Sequence, residues 1–185
     1  MKTRITKTPV DGVLIVNIDH FEDERGFFIE SWNKHDFAAA GITADFVQDS
    51  HSRSTYGVLR GLHYQNMRTP LAKLVRCTVG RIFDVALDLR ISSPTFGRAF
   101  TLELTAESKS QLFIPIGFAH GFAALSEVCE VQYKQTGFYE PSCEGGIIWN
   151  DPDVGINWPV SNPTLSRRDQ NQISLRQYRE NPAFP

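Results

Sequence analysis

Val58-Leu59-Arg60-Gly61-Leu62-His63-Tyr64-Gln65, together with its later echo Ile114-Pro115-Ile116-Gly117-Phe118-Ala119-His120-Gly121-Phe122, is the stretch whose reading decides the fold. Each run sets one imidazole, His63 or His120, among apolar and aromatic residues punctuated by glycine. That is how a strand delivers a polar side chain to the inside of a small barrel. The two histidines are read as the floor of a pocket.

Composition supports a sheet-built reading. The chain has 185 residues and 41% hydrophobic content, with 13 Phe and 5 Tyr against 2 Met, a balance that favours aromatic-rich sheets over helical bundles. A single domain of this length buries roughly 70% of its unfolded surface. The net charge is −2, and its 19 basic and 21 acidic residues are spread evenly, so no electrostatic footprint for nucleic acid or a membrane surface is present. Cys77, Cys129 and Cys143 are odd in number and fit no metal spacing, and a disulfide framework is not expected. No apolar run follows Met1-Lys2-Thr3-Arg4, and nowhere are there about 18 uninterrupted apolar residues. A soluble cytoplasmic protein is the expectation.

Outward from the two histidine runs, strand follows strand. Residues 10 to 18 read as an opening strand after a turn at Asp11-Gly12, and Phe21 to Glu30 as a charged loop running into an aromatic strand. Asn33 caps a short helix through Ala40, with Gly41 as the stop. Phe46 to Ser52 is unusually polar for a strand, which suits an edge or the wall of a wet pocket. Leu71 to Val79 turns at Gly80 into Ile82 to Leu89, where Phe83, Val85, Leu87 and Leu89 alternate with Asp84, Ala86 and Asp88. That period of two marks a sheet with one apolar face. Further strands are expected at 99 to 104, 111 to 116, 121 to 125, 129 to 136 and 146 to 149. From Asp151 onward Pro152, Pro159 and Pro163 describe an irregular tail wrapped over the barrel, in which Ser166 before Arg167-Arg168-Asp169 reads most simply as a helix cap. The whole, 1–185, is read as one domain: N-terminal strands 1–43, a jelly-roll core at about 44–150 and a C-terminal wrap 151–185.

Pro115, Gly117 and His120 resemble the second cupin signature, Pro-x-Gly-x-x-His. The first signature is half empty, because Tyr64-Gln65 stands where a metal-binding cupin shows a second histidine. A first-row metal usually needs about three suitable protein ligands. No metal is therefore expected, and the chemistry of the pocket falls to organic acids and bases.

Further motifs run through nearly the whole chain: Phe-x-Asp-x-Arg-Gly-x-Phe-x-Glu at 21 to 30, Gln48-Asp49, Arg60-Gly61-Leu62-His63-Tyr64-Gln65, Lys73-Leu74-Val75-Arg76, Asp84-Val85-Ala86-Leu87-Asp88-Leu89-Arg90, Ser93-Pro94-Thr95-Phe96-Gly97 and Gly146-x-x-Trp149-Asn150-Asp151-Pro152. In that order they resemble the dTDP-4-dehydrorhamnose 3,5-epimerase family of deoxysugar biosynthesis. The resemblance implies an all-β, cupin-like jelly-roll barrel with short flanking helices. It implies cofactor-independent inversion of C3 and C5 of a dTDP-linked 4-keto sugar through enolates, which calls for a base, an acid on the far face and a cation at the enolate oxygen.

By similarity His63 is the base, Asp169 its orienting partner, Tyr133 the acid and Lys73 the cation. Arg25, Glu30, Gln48, Asp49, Ser50, Arg60, His120, Glu144 and Arg168 are the implied substrate contacts, with Tyr139 stacking on the base. Because the family takes the Arg25–Glu30 segment from the partner subunit, the resemblance also implies a homodimer. Singly, each residue has a structural reading: His63 as a barrel histidine, Tyr133 as core and Lys73 as an edge-strand charge. Ser50 stands where family members usually carry Asn, Leu71 where they carry Gln, and Arg168 where they carry Lys. A mono-epimerase on a related dTDP-keto-sugar, a non-catalytic sugar-nucleotide-binding cupin and a metal-dependent cupin enzyme remain as alternatives.

Overall fold

The computed structural model describes residues 2–185. Its strands, in chain order, are β1 (Thr3–Lys7), β2 (Leu14–Ile18), β3 (Phe21–Asp23), β4 (Gly26–Phe28), β5 (Gln48–Thr55), β6 (Leu59–Gln65), β7 (Lys73–Val79), β8 (Arg81–Asp88), β9 (Ala99–Thr105), β10 (Gln111–Ile114), β11 (Phe118–Ala124), β12 (Val128–Gln135) and β13 (Glu144–Gly146). Two short helices, α1 (Lys34–Ala39) and α2 (Leu175–Glu180), flank them. One sheet runs β1-β2-β10-β7-β12-β5, a second β13-β6-β11-β8-β9, and β3-β4 form a separate hairpin. Val75, Cys77 and Val131 of the first sheet pack against Ile82, Ala86, Phe118 and Phe122 of the second, so the core lies between the two sheets. This is the expected cupin-like jelly roll.

The two histidine runs become neighbours in the second sheet. β6 and β11 pair antiparallel with His63 opposite His120, and the register shifts between His120 and Phe122. At this point the backbones nearly touch. A Cβ on Gly61, whose φ is +129°, would lie 2.5 Å from the Gly121 Cα, closer than any side chain tolerates.

β8 differs from its expectation in one respect. Phe83, Val85, Leu87 and Leu89 do form one apolar face, but that face lies outside the barrel, beneath Leu175, Tyr178 and Phe184 of the tail. Ile82 and Ala86 fill the interior on the other face, so the strand is buried on both sides. Asp84 on the interior face is consequently enclosed by the barrel, with 0% exposure.

The tail is more ordered than its proline content suggests. Ser174 and Gln177 form a reciprocal capping box that starts α2, a Ser-x-x-Gln signal present in the sequence. The fully buried Tyr178 hydroxyl donates to Leu89 O and accepts from Ala183 N and Phe184 N, locking the C-terminus to the second sheet. Full burial contributes about 1.5–3 kcal/mol for each large apolar side chain involved. On the opposite flank α1 is capped by Asn33, whose Oδ1 accepts from His35 N and Asp36 N, and the helix covers the first sheet through Phe37 against Val16, Ile18 and Leu74.

The opening strand starts only at Leu14. Gly12 at φ +91° and the Val13 N to Val10 O bond close a turn over the residues before it. Similar shifts of a few residues occur at β5, β11 and β13, and β1 precedes the expected opening strand.

Candidate active site

Alternation decides which side chains enter the barrel. On β5, Gln48 and Ser50 face inward and Asp49 outward; on the paired β12, Tyr133 and Gln135 face inward, with Tyr133 opposite Ser50. On β7, Lys73 faces inward. Opposite them β6 brings His63 and Gln65, and β13 brings Glu144. These residues, with Tyr64, Leu71, Tyr139 and Arg168, line one cleft of about 340 Å³.

The tail supplies the partner of His63. Thr164 bonds to both sides of the residue 57–59 segment, through Thr164 N to Gly57 O and Leu59 N to Thr164 O, and so carries residues 166 to 171 across β6. There Asp169, 3% exposed, accepts from His63 Nε2 at 2.5 Å. Ser166 fixes the carboxylate: its hydroxyl donates to Asp169 Oδ2 at 2.8 Å and accepts from Asp169 N at 3.1 Å. The 3-10 turn at Asp169–Asn171 has Arg168 at its N-cap and no side-chain cap bond, so Ser166 is not the helix cap its sequence suggested; its hydroxyl orients a carboxylate instead. Burial works to raise the Asp169 pKa, but the His63 bond, Ser166 and Arg168 outweigh it and hold the carboxyl below its usual value. An ionised Asp169 takes the Nε2 proton as acceptor and leaves Nδ1 as the lone-pair nitrogen of the ring.

Around this pair sit the other charges. Arg168 pairs with Glu144 and brings Nη2 to 3.4 Å from His63 Nε2. Burial pushes the Lys73 ammonium down to about 8, against the opposing pull of Asp84 and Glu144. With that value Lys73 is mostly a cation at neutral pH, in a site where its charge is screened less than in bulk water. The Tyr139 hydroxyl donates to Glu144 Oε2 at 2.9 Å, the first cause of its raised pKa.

Gln65, quoted in the opening motif but given no role there, organises the rim. Its Nε2 donates to Thr69 O at 2.7 Å and Phe138 O at 3.2 Å, and its Oε1 accepts from Glu140 N at 2.7 Å. Tyr139 N–H donates to Gln48 Oε1, which completes the presentation of that ring. Gln135, two residues beyond Tyr133 on β12, donates to Ser50 Oγ at 3.3 Å. Its inward position follows from the same alternation as Tyr133.

Five implied contacts lie outside the cleft lining. Asp49 sits on the outer face of β5, paired to Lys134 at 2.9 Å. Arg60 donates to Ser54 Oγ and Arg53 O. His120, 6% exposed, is turned into the barrel with Nε2 2.7 Å from Asp84 Oδ1. Arg25 pairs with Asp23 in the β3–β4 hairpin, and Glu30 accepts from Asn33 Nδ2 at 3.1 Å. Among the described residues no group of three or more His, Cys, Asp or Glu side chains converges as a metal cage.

An imidazole backed by a carboxylate, a phenol and an ammonium around one cleft form the set needed to remove a proton beside a carbonyl, stabilise the enolate and return a proton. The family model described as dTDP-4-dehydrorhamnose 3,5-epimerase matches residues 7–177. The dTDP-4-dehydrorhamnose 3,5-epimerase of Shigella flexneri is 54% identical over 168 residues, 90% of this chain and 93% of that one. A dTDP-6-deoxy-D-glucose-3,5-epimerase from Legionella pneumophila, solved in complex with dTDP-4-keto-L-rhamnose, superposes with a TM-score of 0.90 at 44% identity, covering 94% of this chain and 93% of the other. A 4-keto-6-deoxy sugar epimerase from the novobiocin biosynthetic gene cluster of Streptomyces spheroides reaches 0.94 at 33% identity, covering 100% and 94%. With sequence, fold and cleft in agreement, the chain belongs to the dTDP-4-dehydrorhamnose 3,5-epimerase family.

Proposed function

We propose that this chain, acting as one domain, converts dTDP-4-dehydro-6-deoxy-D-glucose to dTDP-4-dehydro-L-rhamnose in dTDP-L-rhamnose biosynthesis. It inverts C3 and C5 without a cofactor. The observation that carries the reading is the convergence of the His63–Asp169 pair, Tyr133 and Lys73 on one cleft. His63 takes the proton α to the C4 carbonyl, Asp169 stabilises the imidazolium so formed, and the electron pair moves onto O4 beside the Lys73 ammonium. Tyr133 then returns a proton to the opposite face of the same carbon, which inverts it, and regains one from solvent, while His63 releases the proton it took to solvent and is again a base. The same sequence serves the second carbon. Gln48, Ser50, Glu144 and Arg168 hold the nucleotide sugar, and Tyr139 stacks on its base.

The test is solvent-proton exchange. In D2O, NMR of the product is to show deuterium at both C3 and C5, and exchange at neither carbon would refute the reading. Exchange at one carbon alone would establish a mono-epimerase, a reading favoured by the two departures Ser50 and Leu71, both of which line the cleft.

The chain acts as a cytoplasmic homodimer in this reading. The β3–β4 hairpin leaves Phe21, Phe27 and Phe28 60–69% exposed, an apolar surface suited to a second copy, and carries Arg25 away from the cleft of its own chain. No helix among the described residues is long and apolar enough to cross a membrane. Mixing inactive Arg25→Ala and His63→Ala chains should restore part of the activity through mixed dimers. A monomeric mass by sedimentation would exclude the shared site.

A further inference from the structure

The β3–β4 hairpin stands apart from both sheets. It is a separate two-stranded ribbon of three residues a side, and among the described residues none of its side chains belongs to an apolar cluster of the barrel. A two-stranded hairpin without packing is marginal in water at best. Its own turn is well formed: Asp23 Oδ1 accepts from Arg25 N at 2.9 Å and from Arg25 Nε at 3.1 Å, so the guanidinium is oriented before it meets anything. The direction of the whole ribbon needs a separate cause.

That cause is Lys109, in the loop between β9 and β10. Glu22 and Phe27 stand directly opposite each other in the hairpin, so their side chains share one face. The Lys109 ammonium meets both: Nζ donates to Glu22 Oε1 at 3.1 Å and lies 4.5 Å from the centre of the Phe27 ring. The lysine side chain is only 11% exposed, uncommon for a residue type that normally reaches into water. Its backbone is uncommon too. At φ +54° Lys109 is the one non-glycine residue with a positive φ among the described residues, a conformation that costs an L-residue free energy. The loop around it is tied down on both sides, by Ser108 Oγ donating to Thr105 O at 3.1 Å and Ser110 Oγ donating to Asn17 Oδ1 at 2.7 Å. A strained backbone in a fixed loop thus delivers a cation to one face of the hairpin. The other face, with Phe21 opposite Phe28, stays open to solvent.

We propose that Lys109 is a positioning residue: by clamping Glu22 and Phe27 it fixes the direction in which the hairpin carries Phe21, Phe28 and Arg25 to a second copy of this chain. The inference rests on the shared-site reading given above, in which Arg25 completes the cleft of the second copy. Without the clamp the hairpin samples other directions, and substrate binds only the fraction of molecules in which it is in place. Once substrate is bound, the cleft is the same as in the wild type. The loss therefore falls on KM, with kcat at saturation retained.

The experiment is steady-state kinetics of Lys109 variants in the full-length protein. A cation–π contact and an exposed ion pair are each worth a few-fold, so Lys109→Met is expected to raise KM about tenfold and to leave kcat within about twofold of wild type. Lys109→Arg keeps the charge and the contact with the ring, and should restore most of the affinity. Mixing shows in which site the lysine acts. With His63→Ala chains in excess over Lys109→Met chains, the mixed dimer has one site that joins an intact His63 to an intact hairpin, and the activity gained should have the wild-type KM. A wild-type KM in Lys109→Met itself, or a raised KM in the mixed dimer, would overturn the proposal. The shared site is checked separately by the Arg25→Ala and His63→Ala mixture. No regained activity there sinks that reading and the proposal with it, whereas regained activity beside an unmoved KM in Lys109→Met sinks the role of the lysine alone. Should Lys109→Met fail to fold, Glu22→Gln reads the same clamp from the hairpin side: a KM raised severalfold upholds it, and an unmoved KM overturns it.

Discussion

Replacing Asp169 by Asn removes one charge with almost no change of shape, and the consequence can be worked from the geometry. Asp169 is 3% exposed, accepts from His63 Nε2 at 2.5 Å, and is held by Ser166 at 2.8 Å. When His63 takes the substrate proton, the ring becomes a cation next to that carboxylate. A hydrogen bond to a charged group contributes about 1.5–3 kcal/mol, and the pairing of two unit charges at such range about 4 kcal/mol at an effective dielectric near 20. In Asp169→Asn the Arg168 guanidinium, 3.4 Å from Nε2, becomes the nearest charge and opposes the imidazolium. The loss falls on the transition state, so about 3–4 kcal/mol translates to a drop in kcat of roughly two to three orders of magnitude. Binding of dTDP should hardly change, because Asp169 is turned toward His63 and Ser166 rather than the nucleotide groups. Single-turnover deuterium incorporation followed by NMR measures the rate, titration with dTDP the binding, and near-ultraviolet circular dichroism the fold. A folded variant whose kcat stays within about threefold of wild type would refute the reasoning, since that is under 1 kcal/mol.

Other expectations are more limited. Tyr139→Ala should weaken dTDP binding by about 1–3 kcal/mol, the usual worth of a base stacked on an aromatic ring, while exchange at saturating substrate persists; unchanged affinity by calorimetry would remove Tyr139 from the base contact. Tyr178→Phe leaves Leu89 O, Ala183 N and Phe184 N without their buried hydroxyl partner and should lower unfolding stability by about 1–3 kcal/mol in urea, with activity largely retained. Asp88 accounts for part of the acid sensitivity: burial opposes ionisation, but Arg90, Ser93 and Thr95 outweigh it and hold its pKa below the usual value. The unfolded chain therefore binds the proton first, so the contribution of Asp88 is intact above about pH 4 and disappears as pH falls through its folded value. Urea midpoints measured across that range should fall more steeply for wild type than for Asp88→Asn.

Much of the architecture was legible because it is written in local periodicity. The strands 73–79 and 81–88 around Gly80 and the Asn33 cap follow from patterns within a dozen residues. Helix α2 carries an equally local signal, its Ser174-x-x-Gln177 box, inside a stretch whose prolines suggest an irregular tail. The apolar face of β8 was visible, but not which way it points, since alternation specifies two faces without saying which is covered by the facing sheet and which by a distant segment.

The sequence by itself determined, through its motifs, a jelly roll of the epimerase family with a histidine in each of two strands. Tertiary structure alone decided what those histidines touch. Asp169 reaches His63 across 106 positions only because Thr164 zips the tail to the start of β6. His120 turns to Asp84, 36 positions away, because β11 pairs with β8 in the register that places both inside the barrel. Packing likewise decided that the face of β5 carrying Gln48 and Ser50 looks into the cleft, which puts Asp49 outside. Local pattern depends on neighbouring residues along one strand, whereas charge pairing depends on which strands and tails close over one another, and that is settled only when the two sheets pack.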